Sequence, residues 1–254
     1  MLDEFKQRSD LSDGLIDACN SEQFYIDYQP VLNRDNEVVA LEALVRWAHP
    51  SLGKLAPEKF IPFAEKNGQI KIVGNAIFDK IFSSTDVARL RKGDKVFSLM
   101  VNVSGLHLMD SDFADEFISM AKNYHFPLSL IVIEVTESVF LYDKEQSILT
   151  MEALIDEGVQ FALDDFGTGY SSFSYLQKLP VKFLKIDKTF VAGLDHDDSR
   201  LIVRNIINLA HALNLKVIAE GVEDEGQYEL LYPMSCDYFQ GWYCGRPAPL
   251  PPIQ

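Results

Sequence analysis

Eight short β-branched runs, separated for the most part by longer amphipathic segments, are the feature that most limits what this chain can fold into. The strand candidates are Phe24–Val31, Val38–Arg46, Val96–Val103, Leu130–Val135, Gln160–Leu163, Phe183–Ile186, Lys216–Ala219 and Tyr238–Phe239. Helical periodicity covers Pro57–Lys66, Ile72–Leu90, Asp112–Asn123, Lys144–Glu157, Ser172–Lys178, Ser199–Leu213 and Asp224–Leu231. Strands alternating with crossover helices predict an α/β fold, and eight of them predict a (β/α)8 barrel. One connection departs from that scheme. Val31 and Val38 flank the polar turn Asn33-Arg34-Asp35-Asn36-Glu37, far short of the dozen or so residues that a parallel crossover needs. The first two strands are therefore expected to form an antiparallel hairpin.

With 254 residues, the chain could hold two small domains or one barrel of about 250 residues. No Gly/Ser-rich or Pro-rich linker interrupts residues 24–245, which favours one domain. The expected division is an N-terminal helix or linker at 1–21 and the barrel domain at 22–254. The loosely amphipathic stretch Leu2–Cys19 reads equally well as a stub from an upstream domain or as a cap on the barrel floor.

Charge narrows the partners. With 23 Lys and Arg against 38 Asp and Glu, the formal net charge is −15, which argues against a nucleic acid polymer as partner because a phosphate backbone demands a basic footprint. A small anion remains possible where metal ions carry the positive charge. Cys19, Cys236 and Cys244 form no CxxC pair, so a disulfide framework is not expected and a reducing compartment fits. The stretch Val96–Met109 is too short to span a bilayer, and the N-terminus lacks the basic and then apolar pattern of a signal peptide. The expectation is a cytoplasmic domain making no membrane contact.

The strand ends carry the chemistry. Glu42, Asn102 and Glu134 interrupt otherwise apolar runs, while Asp164, Asp165, Lys185, Glu220 and Gln240 follow apolar runs directly. A single carboxylate after a strand is commonly a helix cap, and a single Asn commonly satisfies backbone groups. Seven consecutive strands contributing such groups to one barrel mouth is a different matter. Five carboxylates there would repel and raise one another's pKa unless cations sat among them. Oxygen donors without His or Cys select hard ions such as Mg2+ or Mn2+, and the five histidines show neither HxH nor HExxH spacing. The adjacent Asp164 and Asp165 suit two ions acting on a phosphodiester. The glycines of Phe166-Gly167-Thr168-Gly169-Tyr170-Ser171-Ser172 match no phosphate-loop pattern and read as a flexible lid. Glu137, three residues past Glu134, is placed to support it.

These motifs resemble the EAL domains, bacterial phosphodiesterases of the second messenger cyclic di-GMP. The resemblance spans roughly residues 24–249. It rests on Glu42-Ala43-Leu44 within EALVRW, VNVS at 101–104, EVTES at 134–138, DDFGTGYSS at 164–172, LPVKFLKID at 179–187, AEGVE at 219–223 and QGWYCGRP at 240–247. It implies a modified TIM (β/α)8 barrel with an antiparallel first strand and two Mg2+ or Mn2+ ions, with Ca2+ inhibitory. Glu42, Asn102, Glu134 and Asp164 would ligate the first ion and Asp165 the second. Lys185 and Glu220 would position or activate the water, one contributing charge and the other acting as base or second-metal contact. Gln240 would hold the water, and Gln29, Arg46, Asp187 and Glu223 would meet the substrate. Glu137 would anchor the lid formed by Gly167, Thr168, Gly169 and Ser171. A homodimer and an upstream sensor or GGDEF-type domain are also implied. Three positions depart from the usual pattern: Gly105 and His107 stand where Ala or Pro and Gln are common, and Trp242 where Tyr is common. The activity implied is hydrolysis of cyclic di-GMP to 5′-pGpG, and the alternative is a catalytically silent receptor using the same pocket.

Overall fold

A computed structural model describes residues 14–92, 95–137, 144–167 and 176–250. Eight strands close into a barrel: β1 (Phe24–Asn33), β2 (Val38–His49), β3 (Ser98–Asn102), β4 (Ile131–Thr136), β5 (Gln160–Phe166), β6 (Phe183–Ile186), β7 (Lys216–Ala219) and β8 (Tyr238–Gln240). From β2 to β8 every neighbouring pair is parallel. β1 closes the ring by pairing antiparallel with both β2 and β8. The expected hairpin is present, and its turn is built by Asn33, whose Oδ1 accepts hydrogen bonds from the backbone N–H of Asp35 and of Glu37, both at 2.9 Å. Such a side chain replaces the ladder partners that a turn gives up.

Helices cover the outside: α1 (Pro57–Lys66), α2 (Ile70–Ser84), α3 (Gly105–Leu108), α4 (Phe113–Asn123), α5 (Lys144–Asp156), α6 (Lys188–Ala192), α7 (Asp197–Ala212) and α8 (Glu225–Leu231). The helical reading of Ile72–Leu90 proves too long. α2 stops at Ser84, whose hydroxyl donates to the Lys80 carbonyl at 2.6 Å, and the next residue, Thr85, is extended. Asp86 Oδ1 then accepts from the Ala88 N–H at 2.8 Å and starts a separate 3-10 turn at Val87–Leu90. Ser, Thr and Asp side chains compete with the helix ladder for backbone groups, and three of them in a row end it. The short helices α3 and α6 have no counterpart among the periodic segments because four or five residues carry too little period to read. Of the expected helix Ser172–Lys178, residues 172–175 lie outside the described residues.

Two apolar bodies hold the fold. The larger fills the space between barrel and helices, with Trp47, Phe60, Phe113, Phe117 and Phe161 buried, and it includes Leu15 and Ala18 from a helical segment at residues 14–19. The smaller sits inside the barrel: Val31, Ala40, Met100, Val132, Ala162 and Ile218, with Phe183 and Tyr238 packed against it. Because strand side chains alternate faces with a period of two, the residue two steps farther along each parallel strand also points inward. Those residues are Glu42, Asn102, Glu134, Asp164, Lys185, Glu220 and Gln240. On antiparallel β1 the step runs backwards, from Val31 to Gln29.

Candidate active site

The upper layer is thus a ring of polar side chains above an apolar floor. Glu42 is its hub on one side: its Oε1 accepts from Asn102 Nδ2 at 2.6 Å and its Oε2 accepts from Gln240 Nε2. Gln240 Nε2 also reaches Gln29 Oε1 at 3.4 Å, and Gln29 Nε2 donates to the Gly245 carbonyl at 3.1 Å. On the other side stands Lys185, with Nζ 2.7 Å from Glu220 Oε1, 2.8 Å from Glu134 Oε1 and 3.3 Å from Asp164 Oδ1. Glu134 and Lys185 are each about 1% exposed, and Glu42 is 6% exposed. These groups lie below the rim, deeper than a solvent-facing mouth would place them.

Asp164 and Asp165 are consecutive, so a regular strand would send them to opposite faces. Here β5 is irregular: its pairing with β6 shifts register between Leu163 and Phe166, and Asp165 has φ +54. The bulge re-aims the second side chain. Carboxylate oxygens of Asp164, Asp165 and Glu220 then lie within 4.8 Å of one another. The Asp165 N–H donates to Asp164 Oδ1 at 2.9 Å, which fixes the first carboxylate.

Electrostatics separate the members of the ring. Burial would lower Lys185, but Asp164, Glu134, Glu220 and Glu42 outweigh it and hold the ammonium well above its ordinary range. Burial, joined by the charges of Glu42 and Asp164, pushes the Glu134 carboxyl well up despite Lys185. Burial also raises Glu220, to about 8, with Asp164 and Glu42 adding to it against the pull of Lys185. For Glu42 burial is outweighed by the Lys185 charge and by accepted hydrogen bonds, and its carboxyl stays low. Asp165 is raised by burial and by its neighbours Asp164 and Asp187. One ammonium among five carboxylates leaves an excess of negative charge. Glu134 Oε2, sealed from solvent, has no hydrogen-bonding partner. An orphaned buried oxygen within an all-oxygen donor set fits a hard divalent cation.

A cleft of about 600 Å³ opens above the ring. Gln29, Glu42, Asn102, Asp164, Asp165, Asp187, Glu220, Glu223 and Gln240 line it, and Lys185 and Glu134 lie beneath. Asp187 also caps α6, its Oδ1 accepting from the Thr189 N–H at 2.9 Å. Arg46 is not among the lining residues; it pairs with Asp27 at 3.5 Å and donates to the Val45 carbonyl at 3.1 Å. Glu137 Oε1 accepts from the Gly167 N–H at 3.3 Å. Thr168, Gly169 and Ser171 lie outside the described residues. Sequence reading missed one wall feature. Ser104 Oγ donates to Glu65 Oε1 at 2.5 Å and ties the exit of β3 to α1, although Glu65 reads in sequence as one more surface charge of an amphipathic helix. Trp242 stands on the rim, and its only signal was a departure from a motif.

Fold and ring together define an α/β barrel with an acidic, oxygen-rich mouth. The EAL domain model matches residues 12–247, and the chain belongs to the EAL domain family. It is 37% identical over 246 residues to the bifunctional diguanylate cyclase/cyclic di-GMP phosphodiesterase MucR of Pseudomonas aeruginosa, covering 96% of this chain and 36% of that protein. It is 35% identical over 251 residues to the cyclic di-GMP phosphodiesterase NbdA of the same organism, covering 98% and 32%. The chain therefore spans about a third of the length of these curated relatives. Among solved structures, the PaMucR phosphodiesterase in complex with c-di-GMP superposes with a TM-score of 0.86 at 38% identity, covering 94% of this chain and 97% of that one. The EAL enzyme Bd1971 in its cAMP- and cyclic-di-GMP-bound form gives 0.89 at 30% identity, covering 98% and 67%. No described helix is long and apolar enough to cross a membrane.

Proposed function

We propose that this domain is a metal-dependent phosphodiesterase that opens cyclic di-GMP to 5′-pGpG. The observation that carries the reading is the undiminished ring: Glu42, Asn102, Asp164, Asp165, Glu220 and Gln240 line one cleft, with Glu134 and Lys185 paired beneath them, in an EAL barrel two of whose curated relatives are named as cyclic di-GMP phosphodiesterases. In this reading Glu42, Asn102, Glu134 and Asp164 would hold one Mg2+ or Mn2+, and Asp165 would complete the site of the second. The ions supply the positive charge that a phosphodiester and an attacking water require in an acidic mouth.

The protein's own groups do the rest. Asn102 and Gln240 fix both oxygens of Glu42. Lys185, kept charged by its three ion pairs, contributes a fixed cation, and Glu220 takes the proton from the water. A new P–O bond forms to the water oxygen, one P–O3′ bond breaks, and a proton ends on the leaving 3′ oxygen. Gln29, Asp187 and Glu223 meet the nucleotide along the cleft. Arg46 reaches it on release from Asp27.

Residues 22–254 form the catalytic domain in this proposal and 1–21 lead into it. The domain works as a cytoplasmic homodimer attached to a sensor or GGDEF-type domain, in keeping with the bifunctional relative's name. The test is incubation of purified protein with cyclic di-GMP and Mg2+, Mn2+ or Ca2+, followed by chromatography of the products. Expected are 5′-pGpG with Mg2+ or Mn2+ and intact substrate with Ca2+, whose larger radius and looser geometry disturb a two-ion site. Binding without product under Mg2+ and Mn2+ would make the domain a silent receptor instead.

A further inference from the structure

We infer that the cleft continues past the ring into an apolar side chamber walled in part by His107, and that this chamber takes a small aromatic molecule bearing one hydroxyl, of the phenol class. The inference goes beyond the phosphodiesterase reading and does not rest on it. Besides the ring, the cleft is lined by Ala43, Val103, Ile70, Gly74, Ile77 and His107. Neighbours on a strand point to opposite faces, so Ala43, next to Glu42, and Val103, next to Asn102, turn away from the barrel interior. Both belong to the core between barrel and helices, together with Ile70 and Ile77 of α2. The chamber therefore lies behind β2 and β3, on the helix side of the wall whose inner side carries Glu42 and Asn102.

The imidazole of His107 is fixed by its neighbours. A Cβ at Gly74 would lie 2.3 Å from His107 Nδ1, so only glycine lets the ring come this close to α2. The ring stacks on Phe78, with centroids 5.7 Å apart, and meets Phe113 edge-on at 4.7 Å. His107 is 2% exposed, and its Nε2, sealed from solvent, has no hydrogen-bond partner. Burial lowers its pKa to about 4 against the charges of Asp110 and Glu116, so the ring is neutral at pH 7.

These walls select their guest. A sealed ring nitrogen without a partner is destabilising until one hydrogen bond is made to it. Water serves such an atom where about two to four polar groups hold it in place, and Ile70, Ile77 and Phe78 offer no further one. Apolar cavities accept flat apolar molecules such as benzene instead. An aromatic ring covers the isoleucine and phenylalanine walls, and a single hydroxyl on it pairs with Nε2. That combination of an apolar lining with one placed polar group is the usual make-up of a small-molecule pocket. A molecule held there would lie one residue away from both Glu42 and Asn102 along their strands.

The experiment is a titration of the protein at pH 7 with phenol and, separately, with benzene. It is read by the imidazole nitrogen correlations of isotope-labelled protein, the His107 signals being assigned through nuclear Overhauser contacts to Phe78 and Phe113. Expected in wild type are a saturable shift of the His107 signals with phenol, Overhauser contacts from phenol to the Ile77 methyls, and affinity about tenfold greater for phenol than for benzene. In His107→Phe, which keeps an aromatic ring between Phe78 and Phe113, the two probes should bind equally. His107 signals unmoved up to the solubility limit of phenol would overturn the inference. Equal affinity for the two probes in wild type would also overturn it, because Nε2 would then be served by water. A preference for phenol that survives in His107→Phe would place the hydroxyl elsewhere and overturn it too. The first two outcomes are read on wild type, so they stand even where the variant fails to fold.

Discussion

Two successive layers of one barrel, built by the same strands and separated by two residues, have opposite chemistry. The lower layer, with Ala40, Met100, Val132, Ala162 and Ile218, is a dry apolar plug. The upper layer, with Glu42, Asn102, Glu134, Asp164 and Glu220, is a ring of oxygen donors around Lys185. The floor earns stability through packing, as core side chains generally do. The ring gathers like charges whose mutual repulsion Lys185 and the hydrogen bonds of Asn102 and Gln240 relieve in part. The difference teaches that function and stability in this molecule are divided by depth along each strand and not by strand.

The sharpest way to break that division is at Lys185. Replacing it by Met strips the counter-charge from Glu134, Asp164 and Glu220, so hydrolysis should vanish and stability in EDTA should fall by about 3–5 kcal/mol, the usual cost of removing one partner from a buried ion pair. Mn2+ should restore part of the melting temperature. A melting curve that is unchanged in EDTA would mean the ring tolerates its own charge.

Met100→Ala tests the floor in the opposite sense. A cavity in a packed interior costs about 3 kcal/mol, and it should appear as a lower urea midpoint, with turnover per folded molecule within about twofold of wild type. Loss of turnover greater than the loss of folded protein would show that the two layers are coupled.

Glu137→Ala should act on the ring from outside it. The carboxylate accepts the Gly167 N–H just past Asp164 and Asp165, and a displacement of about 1 Å can cost roughly a hundredfold in rate, equivalent to about 2.7 kcal/mol. Measuring turnover beside melting temperature separates this from a helix-capping role. Unaltered kinetics with a lower melting point would refute the positioning argument.

The smallest effect sharpens the comparison with a buried polar group whose desolvation outweighs its neighbouring charges. His107 is buried against Phe78, with ring centroids 5.7 Å apart, and Phe113, at 4.7 Å, and its Nε2 has no hydrogen-bond partner. Burial lowers its pKa to about 4, against the opposing charges of Asp110 and Glu116. The unfolded chain takes up a proton near pH 6.5 and the folded one near 4, so the stability linked to this group is fully present above 6.5 and is lost as pH falls towards 4. Between pH 7 and 5 the loss should be about 2 kcal/mol. Urea midpoints of His107→Gln should lack that component, and identical pH slopes for the two proteins would disprove it.

Much of the fold was legible because strand and helix formation are local. β6 and β7 begin and end where their β-branched runs do, and the short turn after β1 fixed its direction. The ring members were visible as polar residues breaking apolar runs. Their depth was not: Glu134 and Asp187 each follow an isoleucine near a strand end in sequence, yet one is sealed beside Lys185 and the other caps a helix at the cleft wall. Arg46 reads as a nucleotide contact and pairs with Asp27, a residue on the adjacent strand. The bulge that turns Asp165 beside Asp164 depends on pairing with β6 and has no signature in the pair itself.

By itself, then, the sequence determined the eight strands, the reversed first one, and which residue types stand at each strand's upper end, because a period of two and a five-residue polar turn are set by the sterics of neighbouring residues. Only the tertiary structure decided that Gln240 donates to Glu42 across 198 positions, that one ammonium serves three carboxylates, and that Trp242 is left open while Trp47 is closed. The first of those spans the seam where β1 joins β2 to β8, and the packing of the barrel sets distances that spacing along the chain does not encode.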